Sequence, residues 1–468
     1  MKTAGVEIKG ITCNSKAVKK GFVFVAVKGE RQDGGCFIKE AVANGASLVV
    51  VQGNALKIKI PQSVKLLRVN DCRRFLAEAS AEFYGRPSEG LRVVGITGTN
   101  GKTTISYLIE AIAKESGRAC GVIGTINYRF KGRKILAKNT TPGPVELQGL
   151  LARMQTLRIK YCAIEVSSHA LDQERVSGIN FSQAVFTNLT QDHLDYHKNL
   201  ENYFLAKAKL FSGLAESRAA IINNDDKYGQ RLKQLICCRL ISYGIKNKST
   251  VMAKDIVSGI GGTQFTLVAP GINSRIKTHL IGRYNIYNIL AAISWGISEE
   301  IPLKDIKSAI EKFKNVPGRL EKVSCRKGRN IFVDYAHTPD ALFNVISALR
   351  PLVSGRIIVI FGCGGERDKL KRPKMGKIVS CLADYAIITN DNPRSEDPLG
   401  IIKDICTGIR KDNYRVIPDR FKAVKAGLAL MKNNDCLIIA GKGHEQYQIL
   451  QDKVLHFSDR KAVQKCLQ

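Results

Sequence analysis

Short apolar, β-branched runs alternate along this chain with stretches whose apolar positions recur every three or four residues. That alternation is the pattern of strands followed by amphipathic helices. In the first part, Gly21–Val27 and Leu48–Val51 read as strands, and Phe37–Asn44 and Asp71–Tyr84 as helices. Gly85-Arg-Pro-Ser88 ends the second helix and reads as a linker. Leu91–Ile96 is a buried strand by composition. After it Ile105, Leu108, Ile109 and Ile112 fall on one helical face. Further strands are expected at Tyr161–Val166, Ala184–Thr187 and Ala219–Asn223, with β-rich sequence from Ser242 to His279 and a helix after Tyr284-Asn285. Tyr203–Phe211 reads as a basic amphipathic helix face. Asn315-Val-Pro-Gly318 reads as a second linker, and Ile331–Val333, Ile357–Phe361, Ala386–Thr389 and Leu437–Ala440 as strands beyond it. The pattern predicts an α/β protein of three units, 1–90, 91–316 and 317–468, with mostly parallel, doubly wound sheets.

The turn after Ile96 carries the strongest chemical signal. Thr97-Gly98-Thr99-Asn100-Gly101-Lys102-Thr103-Thr104 joins a strand to a helix. Gly98 and Gly101 let backbone N–H groups turn toward an anion, and the helix adds its positive end. Lys102 is placed to reach terminal phosphates and Thr103 to offer a hydroxyl to Mg²⁺. The spacing is not that of a strict Walker A motif, because Ile96 stands where its first Gly belongs. An alternative reading is a Gly-rich turn with an incidental Lys.

Polar clusters fall where open α/β sheets bind ligands, at the carboxyl ends of strands. Ser167-Ser-His169 follows one strand, and Asn188 and Asp192-His193 follow another. In the last third, Asp334-Tyr-Ala-His337, Gly362–Asp368, Asn390–Arg394 and Gly441–Glu445 follow four strands. Four such endings in one unit suggest one site built from four loops. Glu165 and His193 are candidate Mg²⁺ ligands, though His193 alone reads equally as a capped or core His. His193 and His197 lie four apart, but Leu194 stands where a zinc H-E-x-x-H motif needs Glu.

Composition narrows the partners. Net charge is +32, yet Lys and Arg are spread along the chain, with few aromatics among them and no basic block. A basic surface for anionic small molecules fits that spread as well as nucleic-acid binding does, and so does a general basic bias without a partner. Thirteen Cys are scattered without C-x-x-C spacing, as expected of reduced thiols in a cytoplasmic protein. No uninterrupted apolar run is long enough to span a bilayer.

Taken together, these motifs resemble those of the Mur ligases, the ATP-dependent amide-forming enzymes of peptidoglycan synthesis. The resemblance runs nearly end to end. It rests on Gly98–Thr104, Asn139-Thr-Thr-Pro142, Glu165–His169, Asp192–His197, Asp334–Pro339, Asp391-Asn-Pro-Arg394 and Gly441–Glu445. It implies a small N-terminal α/β uridine-binding domain, a central P-loop-type ATPase domain and a C-terminal Rossmann-like domain. The implied reaction adds meso-diaminopimelate to UDP-N-acetylmuramoyl-L-Ala-D-Glu through an acyl phosphate.

Several site assignments follow from the resemblance alone. Gly98, Thr99, Asn100, Gly101, Lys102, Thr103, Thr104, Asn285, Arg319 and Asp334 would contact ATP. Thr103, Glu165, His193 and a Lys207 carbamylated by CO₂ would surround Mg²⁺. Lys102, Glu165, His193 and Lys207 would be catalytic. Ser15, Asn139, Thr140, Thr141, Ser167, Gln173 and Arg175 would hold the nucleotide substrate. Arg367, Asp391, Asn392, Pro393, Arg394, Gly441 and Glu445 would hold diaminopimelate, and Glu445 or His337 would manage its amine proton. Relatives that use lysine have no distal carboxylate to clasp and typically lack the Arg at 394. The first motif departs from the family's Asp-Ser-Arg, being Asn14-Ser15-Lys16, and Gly35 replaces a common His. The implied setting is a cytoplasmic monomer with small-molecule partners, without membrane or nucleic acid. Sister ligases such as folylpolyglutamate synthase, and a nucleotide-regulated nucleic-acid binder, are the alternatives.

Overall fold

The computed structural model describes residues 2–3, 5–29, 32–53, 60–323, 329–451 and 453–468. Three sheets organise it. Strands Gly10–Thr12, Phe22–Val25, Ala46–Gln52 and Lys65–Val69 form a parallel sheet in chain order. Helix Cys72–Phe83 packs on one face, started by Asp71, whose carboxylate accepts from the N–H groups of Arg73 and Arg74.

The central sheet has eleven strands. Arg92–Thr97 lies in its middle, between Tyr161–Glu165 and Phe181–Phe186, parallel to both. From Arg92–Thr97 the chain crosses to Cys120–Ile123 on one side, and later to Phe181–Phe186 and Ala219–Asn223 on the other. The sheet therefore changes its direction of growth at Arg92–Thr97, and the crevice at such a point is where ligands sit. One face is covered by helices Lys102–Glu115, Arg283–Ser298 and Leu303–Lys312, the other by Pro144–Thr156 and Leu200–Ser212. Antiparallel hairpins close both edges, leaving six parallel strand pairings against four antiparallel.

The third sheet is six-stranded, in the order Glu321–Lys322, Asn330–Asp334, Cys436–Ala440, Ile357–Phe361, Tyr385–Ile388, Tyr414–Val416. All its pairings are parallel except the first. Helices cover both faces. Buried Arg420 pairs with buried Asp459 at 2.8 Å and donates to the Ala440 carbonyl at 2.9 Å, which ties the last helix to the end of strand Cys436–Ala440. Among the described residues, no helix is long and apolar enough to cross a membrane.

Every strand the apolar runs predict is present, Ala219–Asn223 and Ile357–Phe361 with the same ends and the others with ends moved by at most three residues. The runs do not reveal Cys120–Ile123, the hairpin Asn127–Phe130/Arg133–Leu136, the edge strand Tyr414–Val416 or the hairpin Tyr447–Leu450/Lys453–His456. These strands are short, and most are broken by Arg or Lys. Arg129, for instance, is buried only because Glu110 pairs with it at 2.7 Å and its guanidinium lies 3.6 Å from the centre of the Tyr107 ring.

Candidate active site

The loop after strand Arg92–Thr97 needs both of its glycines. Gly98 has φ 141° and Gly101 φ 90°. A Cβ on Gly98 would overlap the Thr187 hydroxyl, and one on Gly101 would meet the Asn288 amide oxygen at 2.3 Å. The next strand end props the loop. Thr99 N–H donates to the Asn188 carbonyl at 2.9 Å and Asn100 N–H to the Asn188 side chain at 3.0 Å. Helix Lys102–Glu115 starts at Gly101 with no side-chain cap, so its first N–H groups are left for another partner.

Two lysines meet at this loop. Lys102 Nζ donates to the carbonyls of Gly98 at 2.8 Å and Thr99 at 2.9 Å. Lys207 Nζ, from the facing helix, donates to the same Gly98 oxygen at 3.0 Å and lies 4.4 Å from the Tyr203 ring centre. Lys207 is 1% exposed, and among the described residues it has no carboxylate within 4 Å. Burial lowers the pKa of both lysines, and the charge of Lys102 lowers that of Lys207 further.

Beside the lysines, Glu165 ends its strand fully buried. It accepts from the Thr103 hydroxyl at 2.9 Å, the Thr125 hydroxyl at 2.8 Å and Thr125 N–H at 3.2 Å. Carboxylate and hydroxyl oxygens in this grouping suit a hard cation. Among the described residues no group of three His, Cys, Asp or Glu is placed to hold a metal ion, so a magnesium ion here would draw on phosphate and water as well as on protein oxygens. His193 opens into the same cleft, 3.3 Å from Asp192, and burial in the cleft lowers its pKa. His197 instead bonds Ser168 Oγ at 2.9 Å, so the two histidines serve different neighbours.

The residues expected to hold the nucleotide substrate form one linked group behind Glu165, apart from Ser15. Thr141 Oγ1 donates to the Glu165 carbonyl at 2.8 Å and lies 3.4 Å from Ser167 Oγ. Arg175 donates to the Thr141 carbonyl at 3.0 Å and to the Gln173 side chain at 2.6 Å. The Asn139 carbonyl accepts from Tyr128, and Thr140 Oγ1 lies 3.1 Å from Thr125 Oγ1. Ser15 lies in the first domain, bonded to Glu40, and does not line the cleft.

The third domain closes the opposite wall. Asn100 donates to Asp340 at 2.9 Å, and Arg319 reaches Thr103 Oγ1 at 3.3 Å while stacking 4.4 Å from the centre of the Tyr335 ring. Arg319 Nε is buried with no hydrogen-bond partner among the described residues, a donor left over for a ligand. Asp334 accepts from the N–H groups of Leu320 and Ala336 and so shapes the turn that carries Arg319. Asn285 lines the cleft, with Asn288 one turn on donating to it at 3.1 Å.

Farther along this wall, buried Lys442 donates to Asn392 at 2.9 Å and Glu445 at 3.0 Å, and Asn392 donates to Glu445 at 2.9 Å. Burial raises the pKa of Glu445. A Cβ on Gly441 would press on the Asp391 carboxylate at 2.5 Å. Arg394 sits at φ 55° with its guanidinium on the Gly365 carbonyl at 2.6 Å, and Arg367 is exposed at the rim. Pro393 packs its carbonyl against Gly365 rather than lining the cleft. One cleft of about 880 Å³ joins the phosphate-type loop to Asp391, Asn392, Arg394 and Glu445.

Sequence patterns passed over Thr125, Asn288, Asp340 and Lys442. Asn288 had a signal, lying three residues beyond Asn285 on the same helical face. Thr125 had one only for a reader who had recognised the strand before it. Lys442 had none, since a buried Lys in a Gly-rich turn looks like a solvated one.

Family models match three successive segments: the Mur ligase family catalytic domain over residues 7–84, the Mur ligase middle domain over 96–296 and the Mur ligase glutamate ligase domain over 318–443. The chain belongs to the Mur ligase family. Among its relatives, the UDP-N-acetylmuramoyl-L-alanyl-D-glutamate–2,6-diaminopimelate ligase of Clostridium botulinum is 42% identical over 98% of this chain and 95% of that protein. A solved structure of a ligase of the same name superposes with a TM-score of 0.70 at 31% identity, covering 99% of this chain and 97% of that one. Folylpolyglutamate synthase of Mycobacterium tuberculosis shares the fold, with a TM-score of 0.66 at 17% identity over 78% of this chain and 91% of that one.

Two buried histidines of the C-terminal domain, His337 in the cleft and His444 behind it against Tyr335, set a pH window. Burial lowers the pKa of His337 to about 4 and that of His444 to about 3, against 6.5 for an ordinary His. Between these values the unfolded chain binds protons that the folded one does not. The share of folding stability that these two histidines contribute is therefore fully present above pH 6.5 and falls as pH drops toward 4. Urea midpoints measured from pH 7.5 to 4 should show this slope, and His337→Gln should flatten it.

Proposed function

We propose that this Mur ligase joins the amine of meso-diaminopimelate to the terminal carboxylate of UDP-N-acetylmuramoyl-L-Ala-D-Glu at the expense of ATP. The observation that carries the reading is the single cleft joining the Gly98–Thr104 loop to Asn392, Arg394 and Glu445. The names of its most similar relatives support the same reaction. The three domains span 1–90, 91–316 and 317–468, and the protein works as a cytoplasmic monomer.

The substrate carboxylate attacks the γ-phosphorus of ATP and ADP leaves, giving an acyl phosphate. Both reactants are anions, so the repulsion between them must be offset. Lys102, Arg319 and the open N–H groups of the loop supply that positive field in a buried setting where it is strong. Mg²⁺, held by Glu165, Thr103, His193 and an oxygen on Lys207, would neutralise phosphate charge. Asn139, Thr140, Thr141, Ser167, Gln173 and Arg175 align the peptide arm, and Ser15 anchors the uridine end. The acceptor amine then attacks the acyl carbon and phosphate departs. Glu445, whose burial favours proton uptake, is placed to receive the amine proton. Arg394 clasps the distal carboxylate of the acceptor, with Asp391 and Asn392 on its ammonium. Arg367 completes that end at the rim.

Lys207 carries a carbamate formed with CO₂. A buried amine with no counter-ion is costly as a cation. As the neutral amine it is a nucleophile for CO₂, and the product presents oxygens to a hard cation. Protein equilibrated with ¹³C-bicarbonate should show a carbamate carbon signal that Lys207→Met lacks. A signal unchanged by that substitution refutes the assignment.

Phosphate release from ATP with the nucleotide dipeptide should require meso-diaminopimelate, with L-lysine close to the rate without acceptor. Arg394→Ala should raise the KM for diaminopimelate by about 10- to 100-fold, the size of a lost charge-assisted hydrogen bond. Equal turnover with lysine would reassign the protein to a lysine-adding ligase.

A further inference from the structure

Lys371 opens helix Lys371–Leu382 and points to a role the known motifs leave unassigned. It is 8% exposed, and what remains open lines the cleft. Every other buried cation of the C-terminal domain among the described residues is held by an anion. Arg372 bonds Glu396 and Asp404, Arg420 bonds Asp459, and Lys442 bonds Glu445. Lys371 has no hydrogen bond and no carboxylate within 4 Å among the described residues. A nearly buried ammonium without a partner is costly, so its place is explained by an anion that arrives with the substrates.

Which anion follows from its neighbours. Lys371 lines the cleft together with Asp192, His193 and His337, of which Asp192 and His193 lie close enough to the lysine pair to interact with its charge. Its charge is felt by Asp192 and His337, and Asp192 in turn by Lys102 and Lys207. The acceptor end already has Arg394 and Arg367 for a carboxylate. The phosphoryl end receives cations from the central domain alone, apart from Arg319 at the domain junction.

We propose that Lys371 is the C-terminal domain's own contact to the phosphoryl group in transit, gripping it as the acyl phosphate forms. This rests on the ligase reading. Bond changes are those of the first half-reaction: the carboxylate oxygen–phosphorus bond forms, the bridging oxygen–phosphorus bond breaks and ADP carries away the electron pair. Lys371 donates hydrogen bonds to equatorial phosphoryl oxygens and keeps its proton. Since the grip comes from the domain that also holds the acceptor, acyl-phosphate formation becomes tied to that domain being in place.

The test separates the two halves of the reaction. ATP labelled with ¹⁸O in the β–γ bridge is incubated with Mg²⁺ and the nucleotide dipeptide, without acceptor, and scrambling into β-non-bridge positions is followed. Lys371→Met should slow scrambling by about 100-fold, as for loss of one charged transition-state donor. It should lower kcat alike and leave the KM for diaminopimelate within about twofold. Lys371→Arg should recover part of the rate, and both variants should match the parent's melting temperature. Scrambling at the parent's rate with a raised diaminopimelate KM would overturn the proposal and move Lys371 to the acceptor end. Loss of melting temperature in both variants would overturn it in favour of a structural role. Absence of scrambling and of turnover in the parent protein would instead sink the ligase reading, and this inference with it.

Discussion

Two buried ammonium groups, those of Lys102 and Lys207, share one carbonyl oxygen, that of Gly98. Much of the central domain is arranged around this contact. Bonded to one oxygen at 2.8 and 3.0 Å, the two nitrogens are close enough that both as cations would repel by at least about 3 kcal/mol at an effective dielectric of about 20. One carbonyl dipole does not offset that. Burial and this repulsion together favour the neutral amine on Lys207 and leave the pair open to an incoming anion. Gly98 makes the contact possible, because its φ of 141° turns the carbonyl toward both lysines while the Thr187 hydroxyl fills the place of a Cβ. A binding site that keeps its positive charge poorly compensated gives up stability to gain affinity for an anion.

The second constraint is that no single domain carries the whole chemistry. Glu165, Thr103 and the loop amides come from the central sheet, and Asn392, Arg394 and Glu445 from the third. Side-chain bridges such as Asn100 to Asp340, Arg319 to Thr103 and Gln191 to Lys374 cross between them at the cleft, beside the packing of Ile281 into the third domain's core. Such polar contacts are individually weak and exchangeable with water. The ion pair of Arg420 with Asp459 is of the opposite kind, fully buried, and fixes the acceptor end as a rigid unit.

Much of this was legible in the chain itself, for physical reasons. Central parallel strands are buried on both faces, so Leu91–Ile96 and Ile357–Phe361 are continuous apolar runs that little else imitates. Ligand loops follow such strands, which is why Glu165, Asp192 and Asp391 stand out in the sequence itself. Edge hairpins escaped notice, because solvent on one side permits Arg129, Lys134 and Lys453 in strands. The roles of Lys207, Arg394 and the Asn139–Thr141 segment came from family likeness and not from spacing. No periodicity distinguishes Lys207 from the exposed Lys209 two residues on, whereas the fold buries one against Gly98 and leaves the other on Asp172. Thr125 and Lys371 emerged only from three-dimensional placement.

The central claim is that the Gly98–Thr104 loop binds the terminal phosphates of ATP. Calorimetric titration of the intact protein with ATP and with AMP, in Mg²⁺ and at fixed ionic strength, tests it most directly. The account predicts that ATP binds at least about 100-fold more tightly than AMP, since the loop and Lys102 touch only groups that AMP lacks. It also predicts that Lys102→Met removes most of that difference. Equal affinity for the two nucleotides, or an ATP affinity indifferent to Lys102, would contradict it.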